Sequence, residues 1–151
     1  MESLTVFSQL ASLKDISQYV LQVSETAGLT PKATYKLRLA VDEIVTNIIT
    51  HGYMEAQQQG HISLRAKIDE DALILSIEDT GVAYDPTKHT DEVDRDLPLG
   101  ERHAGGWGVH LALWGVDELK YERDRGRNRN ILIVHRHPNQ FESSRDRDVA
   151  V

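Results

Sequence analysis

Apolar residues recur at helical spacing in two segments of the first third of the chain. The first segment covers residues 10–27, where apolar side chains three or four positions apart would line one face of an amphipathic helix. The second begins at Thr30, which suits an N-cap, and continues with Pro31, which suits the first helical position. We predict that this helix ends at Gly52, because glycine commonly closes helices. Residues 4–8 predict a short strand ahead of the first helix.

The spacing then changes to alternation of apolar and polar residues. Residues 61–68 and 72–79 alternate in this way, which is typical of strands with one face in the core. The acidic turn at residues 69–71 joins them, so we predict an antiparallel hairpin. A second hairpin is predicted from residues 118–124 and 130–137, which flank a short basic turn.

A long polar connection separates the two hairpins. Residues 80–105 lack strong periodicity. A connection of this length is unusual in a compact domain, which indicates a functional lid or a mobile loop. Residues 105–119 open with glycines and continue as a helix. This order predicts an α+β fold, a two-layer sandwich whose mixed, mostly antiparallel sheet carries helices on one face. We expect one domain over residues 1–137 and a polar tail over residues 138–151.

Composition narrows the classes of function. The chain has 151 residues, of which 40% are hydrophobic and 27% charged, as expected of one soluble globular domain. A formal net charge of −7 argues against nucleic-acid binding, which usually needs a basic surface. The apolar runs are too short to span a membrane, and the N-terminus does not look like a signal peptide. Because the chain has no cysteine, we expect a cytoplasmic protein without disulfides.

The first candidate group lies on the second predicted helix. Glu43, Asn47 and His51 recur every fourth residue, so they project from one helical face. A carboxylate can accept a proton or orient a hydroxyl, and an amide oxygen is a suitable ligand for Mg²⁺. The alternative is the polar boundary of an ordinary surface helix.

The second candidate group lies where the first hairpin ends. Asp79 lies two positions after Ile77 and four after Leu75, so its side chain would point to the same side of the strand, toward the core. A buried carboxylate needs hydrogen-bond donors, and an adenine amino group would be one. Gly81 supplies a bend that would let a flat ring approach the backbone. The alternative is an aspartate that caps the following turn.

The third candidate group is the glycine-rich stretch GGWGVHL at residues 105–111. Clustered glycines allow close approach of the backbone, and unpaired N–H groups at a helix start can hold phosphate. The stretch is neither a P-loop nor a dinucleotide fingerprint. A flexible hinge before a helix would have the same composition.

The three groups occur together in one order, and this set resembles the GHKL ATP-binding fold, also called the Bergerat fold, of histidine kinases, gyrase, Hsp90 and MutL. Within that fold, the stretches DEIVTNIITHGY, IEDTGVAYDP and GGWGVHLALWGVDELKYERDRGRN look most like the anti-sigma-factor serine kinases. The resemblance spans residues 4–136. It implies ATP and Mg²⁺ as cofactors.

The resemblance also implies roles for the residues of the first two groups. Glu43 would be the general base or would orient the attacking hydroxyl, and Asn47 would bind the Mg²⁺ that bridges the ATP phosphates. Asp79 would read the adenine amino group, with Gly81 beside it. Ala83 stands where the family often has a second glycine, and a residue this small is compatible with nucleotide binding.

The phosphate side of the site is implied in the same way. Residues 84–104 would form the ATP lid, from which Arg102 would reach the γ-phosphate, with Arg95 nearly as well placed. The glycine-rich stretch would present backbone N–H groups to the phosphates. Its members are Gly105, Gly106, Trp107, Gly108 and Val109. His51 receives no role by similarity and would close the helix with a local hydrogen bond.

The function that the resemblance implies is an ATP-dependent protein serine/threonine kinase that acts as an anti-sigma factor in transcription regulation by partner switching. Its substrate would be a small STAS-type antagonist protein, which releases a sigma factor while unmodified and no longer binds once phosphorylated. A homodimer is expected by analogy. The first alternative is a nucleotide-gated protein-binding module without phosphotransfer. The second is a structural domain that binds no nucleotide.

Overall fold

The computed structural model describes residues 2–88 and 114–136. In chain order, the strands and helices are β1 (Leu4–Phe7), α1 (Leu13–Thr26), α2 (Pro31–Asn47), β2 (His61–Ile68), β3 (Ala72–Asp79), β4 (Glu118–Asp124) and β5 (Arg127–His135). A 3₁₀ turn at Leu10–Ser12 precedes α1, and another lies at Pro86–Lys88. In these two ranges, no helix combines the length and the apolar character that crossing a membrane requires.

The five described strands form one sheet in the order β1-β2-β3-β5-β4. Every neighbouring pair among them is antiparallel, so the predicted α+β fold with its mostly antiparallel sheet is confirmed. The central strand β3 lies between β2 and β5, and its last residue, Asp79, lies opposite Ile62 on one side and Asn128 on the other. The end of β3 is therefore flanked by strands on both sides.

The core lies between α1, α2 and one face of the sheet. Alternate residues of β2, β3 and β5 are buried, such as Leu64, Leu75 and Leu132. The buried helix residues of the same cluster include Ile16, Val20, Val23, Leu37, Val41, Ile44, Val45 and Ile48. Because apolar burial is the main favourable contribution to folding, this stripe fixes α2 against the sheet. The polar residues beside the stripe are thereby held in place.

The start of α2 is as predicted, but its end is not. The Thr30 side chain caps the helix by accepting a hydrogen bond from the Ala33 N–H at 3.1 Å. The helix continues past Asn47 as wider π-helical turns over Ile48–Met54, so the predicted stop at Gly52 is wrong. Gly52 does not adopt the left-handed conformation of a helix-ending glycine, and its carbonyl accepts a hydrogen bond from the Val82 N–H.

The last hairpin turns more tightly than predicted. Arg125 and Gly126 both have positive φ, 50° and 76°, which gives a two-residue turn whose twist suits paired strands. Strand β5 therefore begins at Arg127, three residues before the predicted start. Strand β4 already begins at Glu118, so the helix predicted over residues 105–119 ends earlier.

Candidate functional site

Helix α2 carries Glu43 and Asn47 one turn apart beside its buried stripe. Glu43 is half-buried, and Asn47 is only 6% exposed. One end of the Asn47 amide, Nδ2, has no hydrogen-bond partner among the described residues. The two ends of an amide exchange by half a turn of the side chain, so this buried position can also present an oxygen. A neutral oxygen ligand of this kind fits Mg²⁺, which prefers oxygen and keeps several waters.

The environment of Glu43 raises the pKa of its carboxyl group. Burial is the larger cause, and the negative charge of the adjacent Asp42 adds to it. The pKa of Asp42 is raised by burial as well, against a smaller opposing effect of Arg38. A carboxylate with a raised pKa is a better proton acceptor than an ordinary surface glutamate. Burial and Asp42 together therefore favour proton uptake by Glu43.

Asp79 lies at the end of β3 and is only 4% exposed. Its Oδ1 atom accepts hydrogen bonds from the Gly81 N–H at 2.9 Å and from the Asn128 side-chain amide at 2.8 Å. Burial raises the pKa of Asp79, and the bonds from Asn128 and Gly81, with the charge of Arg123, partly oppose that rise. The described residues make no hydrogen bond to Oδ2. One carboxylate oxygen is thus fixed by the protein, and the other remains available for a ligand.

Asn128 holds Asp79 from the neighbouring strand, and sequence reasoning did not single it out. Its side chain is 2% exposed, and its amide group donates to Asp79 and to the Gly81 carbonyl at 3.0 Å. Its Oδ1 atom accepts from the Tyr121 hydroxyl and, at 2.7 Å, from the Arg123 guanidinium. Every polar atom of this buried amide is therefore occupied, and the amide has one stable orientation.

The end of α2 touches the turn that follows Asp79. The Gly52 carbonyl accepts a hydrogen bond from the Val82 N–H at 2.9 Å. A Cβ atom at Gly81 would lie 2.5 Å from the same carbonyl oxygen, so only glycine fits at position 81. The helix that carries Glu43 and Asn47 and the turn after Asp79 therefore form one continuous wall.

The start of the predicted lid rests on α2. The Tyr84 ring stacks on the His51 ring, with centroids 4.8 Å apart and planes 13° apart. His51 also makes a local contact, because its Nδ1 atom lies 3.0 Å from the Glu55 carboxylate. Ala83 is exposed. The rest of the predicted lid, Arg102 and the glycine-rich stretch Gly105–Val109 lie outside the described residues.

Comparison with known proteins identifies the family. The sequence profile described as a histidine kinase-like ATPase domain matches residues 6–135, which is most of the chain. The chain belongs to this family. The GHKL resemblance drawn from the sequence is thereby confirmed.

Individual relatives agree with the histidine kinase-like ATPase family. The serine/threonine-protein kinase BtrW of Bordetella bronchiseptica is 32% identical over 105 residues, which cover 69% of this chain and 72% of that protein. The serine-protein kinase RsbW of Listeria innocua is 28% identical over 108 residues, which cover 69% of this chain and 68% of that protein.

A solved structure supports the fold. The histidine kinase domain from Erythrobacter litoralis EL346 blue-light activated histidine kinase superposes with a TM-score of 0.50 at 17% identity. The alignment covers 83% of this chain and 59% of that chain. At this identity, the likeness concerns the architecture of the ATPase domain and not its substrate.

Within this ATPase domain, Asn128 is expected to matter for stability. Replacing it with alanine leaves Asp79 and the Tyr121 hydroxyl each short of a buried partner, and one such loss costs about 1–3 kcal/mol. We expect Asn128→Ala to lower the free energy of unfolding, measured by urea denaturation, by at least that amount.

Asn130→Ala is the matched control for this measurement. Asn130 is equally buried on the same face of β5, but its Oδ1 atom has no partner among the described residues. Truncating it removes fewer hydrogen bonds, so a smaller loss of stability is expected. Equal losses in the two variants would show that the Asn128 contacts contribute nothing specific.

Proposed function

We propose that this ATPase domain is an ATP-dependent protein serine kinase whose substrate is a small STAS-type antagonist protein. The observation that carries the proposal is the half-buried Glu43, one turn from the buried Asn47, on the helix whose end contacts the turn after Asp79. The relatives named serine-protein kinase and serine/threonine-protein kinase support the same reaction class.

The base of ATP is assigned to Asp79. Its Oδ1 atom is occupied by donors from Gly81 and Asn128, so Oδ2 is the acceptor left for the 6-amino group of adenine. The close approach of Gly81 to the Gly52 carbonyl holds the turn beside Asp79 against the helix. Recognition of the amino group by a buried carboxylate would favour adenine over a 6-oxo purine.

The phosphates of ATP are assigned to Asn47 of α2, the glycine-rich stretch and the lid. Asn47 would hold Mg²⁺ with its amide oxygen, and the bound cation would neutralise charge on the β- and γ-phosphates. The stretch Gly105–Val109 would donate backbone N–H groups to the phosphates, and Arg102 would reach the γ-phosphate from the lid. These assignments follow the family resemblance.

Glu43 is assigned to the transfer step. The serine hydroxyl oxygen of the protein substrate forms a bond to the γ-phosphorus while the bond from that phosphorus to the bridging oxygen of ADP breaks. The hydroxyl proton passes to the Glu43 carboxylate, and ADP leaves. A pKa raised by burial keeps this carboxylate basic enough to accept the proton. Positioning and charge neutralisation supply most of the remaining catalysis.

The cellular role follows from the same family resemblance. The kinase would bind a sigma factor as an anti-sigma factor and would release it through partner switching with the STAS-type antagonist. A cytoplasmic homodimer is the expected state. The relatives' names support only the kinase part of this role.

The direct test is incubation of the purified chain with ATP, Mg²⁺ and the STAS-type protein encoded nearest to its gene. We expect one phosphoserine or phosphothreonine on that partner, detected by intact-mass and peptide mass spectrometry, and none when ATP is omitted. ATP binding without any phosphorylated partner would contradict the kinase proposal and would favour the nucleotide-gated binding module. Absence of ATP binding would contradict both.

A further inference from the structure

Tyr53 is the largest fully buried side chain among the described residues, and its hydroxyl joins two separate parts of the chain. The hydroxyl donates to the His61 carbonyl at 2.9 Å and accepts from the Thr80 N–H at 2.9 Å. The ring lies so close to Gly60 that a Cβ atom there would be 2.7 Å from it. The π-helical end of α2 is thus bonded to the start of β2 and to the residue after β3.

Within residues 2–88 and 114–136, the Tyr53 hydroxyl is the hydrogen-bond partner of the Thr80 N–H, and no backbone carbonyl takes that place. The β2–β3 pairing ends with Ile62 opposite Asp79, so Thr80 is the first residue beyond the paired strands. Thr80 lies between Asp79 and Gly81, whose N–H donates to the Asp79 carboxylate. The Tyr53 hydroxyl therefore fixes the peptide on which the orientation of that carboxylate depends.

We propose that Tyr53 is a positioning residue for base recognition, which acts through the Thr80 backbone on Asp79 and does not touch the nucleotide. The proposal rests on the proposed function, in which Asp79 reads the 6-amino group of adenine. It predicts that loss of one hydroxyl, at unchanged ring volume, weakens recognition of the amino group in particular. A purely structural role would weaken all nucleotides alike.

Tyr19 provides a matched control within the same chain. Its hydroxyl also bridges two backbone groups, since it donates to the Glu2 carbonyl at 2.9 Å and accepts from the Ala66 N–H at 3.1 Å. None of these contacts involves Asp79 or the turn after it. Tyr19→Phe therefore removes the same chemical group and the same kinds of hydrogen bond without acting on the proposed base-reading turn.

The experiment is isothermal titration of the wild-type chain, Tyr53→Phe and Tyr19→Phe with two probes. The probes are ADP and purine riboside 5′-diphosphate, which lacks the 6-amino group. In Tyr53→Phe we expect about a tenfold loss of affinity for ADP, the scale of one hydrogen bond to a charged group, and less than about a twofold change for the analogue. In Tyr19→Phe we expect less than about a twofold change for both probes.

The outcomes separate this inference from the proposed function. A wild-type chain that binds neither probe contradicts the proposed function and removes the basis for a base-reading role. A wild-type chain that prefers ADP, with Tyr53→Phe unchanged or weakened equally for both probes, contradicts only the role of Tyr53.

Hydrogen exchange of the wild-type chain provides a second measurement that does not depend on the variant folding. Thr80 is exposed and lies outside the strand pairing, so its amide should exchange rapidly unless the Tyr53 hydroxyl holds it. We expect slow exchange of the Thr80 amide in the nucleotide-free protein. Exchange at the rate of an unprotected amide would overturn the proposal.

Discussion

Replacing Asp79 with asparagine is expected to weaken ADP binding by about 100-fold or more, the scale of a hydrogen bond to a buried charged group. Gly81 and Asn128 both donate to the Oδ1 position of Asp79, so the oxygen of an asparagine would be held there. Its NH₂ group would then face the base, where it would meet the 6-amino group donor to donor. Titration calorimetry with ADP measures the loss.

Titration with IDP, whose base has a carbonyl at the same position, supplies the control. The NH₂ group of Asp79→Asn can donate to that carbonyl, so the variant is expected to keep or gain affinity for IDP. A variant that binds ADP as tightly as the wild-type chain would show that Asp79 does not read the base. Equal losses for ADP and IDP would show a general defect of the pocket.

The same substitution is expected to stabilise the nucleotide-free fold at pH 7. Burial raises the pKa of Asp79 above its ordinary value of 3.8, so the folded state favours the protonated form. The resulting stabilisation is fully present below the unfolded pKa and is lost as pH rises through the folded pKa. At pH 7 the charged carboxylate therefore lowers the free energy of unfolding, and the neutral amide avoids this cost.

Urea denaturation at two pH values measures this effect. Asp79→Asn should unfold at a higher urea concentration than the wild-type chain at pH 7, and the difference should shrink as the pH approaches 4. A variant that is less stable than the wild-type chain at pH 7 would contradict the assignment of Asp79 as a buried, ligand-directed carboxylate. Sites that favour a ligand at a cost in stability are common in binding pockets.

Replacing Glu43 with glutamine is expected to slow phosphoryl transfer by about 10²–10⁴-fold, the usual contribution of a general base. The amide keeps the size and hydrogen-bonding shape of the side chain but cannot accept the proton of the serine hydroxyl. Affinity for ADP should change by less than about twofold, because Glu43 acts on the protein substrate. Single-turnover transfer of labelled phosphate from ATP, with calorimetry for binding, measures both quantities.

Asp42→Asn is the matched control. Asp42 precedes Glu43, is also half-buried, and has a pKa raised by burial. It projects from a different side of the helix than Glu43 and has no proposed role. Its loss removes one neighbouring charge from a half-exposed surface, which is worth little, so the transfer rate should stay within about threefold. A transfer rate in Glu43→Gln equal to that of the wild-type chain would contradict the assigned role, as would an equal loss in both variants.

The pH dependence of transfer tests the same residue in the wild-type chain. A general base must be deprotonated, so the rate should fall as pH decreases through the pKa of Glu43. That pKa is raised above its ordinary value of 4.5 by burial and by Asp42, so the fall should begin at a higher pH than for an exposed glutamate. The fall should be absent in Glu43→Gln.

Alternation along the chain was enough to predict β2 and β3 to the residue, because one face of each strand is more deeply buried than the other. The inward direction of the Asp79 side chain followed from the same alternation. Gly52 shows where local pattern fails. Its carbonyl is taken by Val82, thirty positions away in the sequence, and this tertiary contact favours continued π-helical turns over a helix end.

Two residues of the candidate site were beyond the reach of the sequence pattern. The sequence pattern predicted that Asn128 lies in a turn. In the structure, Arg125 adopts a positive φ, which is unusual for arginine, and β5 therefore begins three residues earlier than predicted and includes Asn128. Tyr53 follows the predicted helix end at Gly52 and received no role, since its partners His61 and Thr80 lie on other parts of the chain. Both depend on contacts between elements, which spacing alone does not specify.

The most direct test of adenine recognition by Asp79 is a crystal structure of the chain with ADP and Mg²⁺. We expect the 6-amino nitrogen of adenine within about 3.2 Å of Oδ2 of Asp79, a normal hydrogen bond, while Gly81 and Asn128 keep their bonds to Oδ1. A structure in which the base lies elsewhere, and Oδ2 of Asp79 faces no atom of the nucleotide, would contradict it.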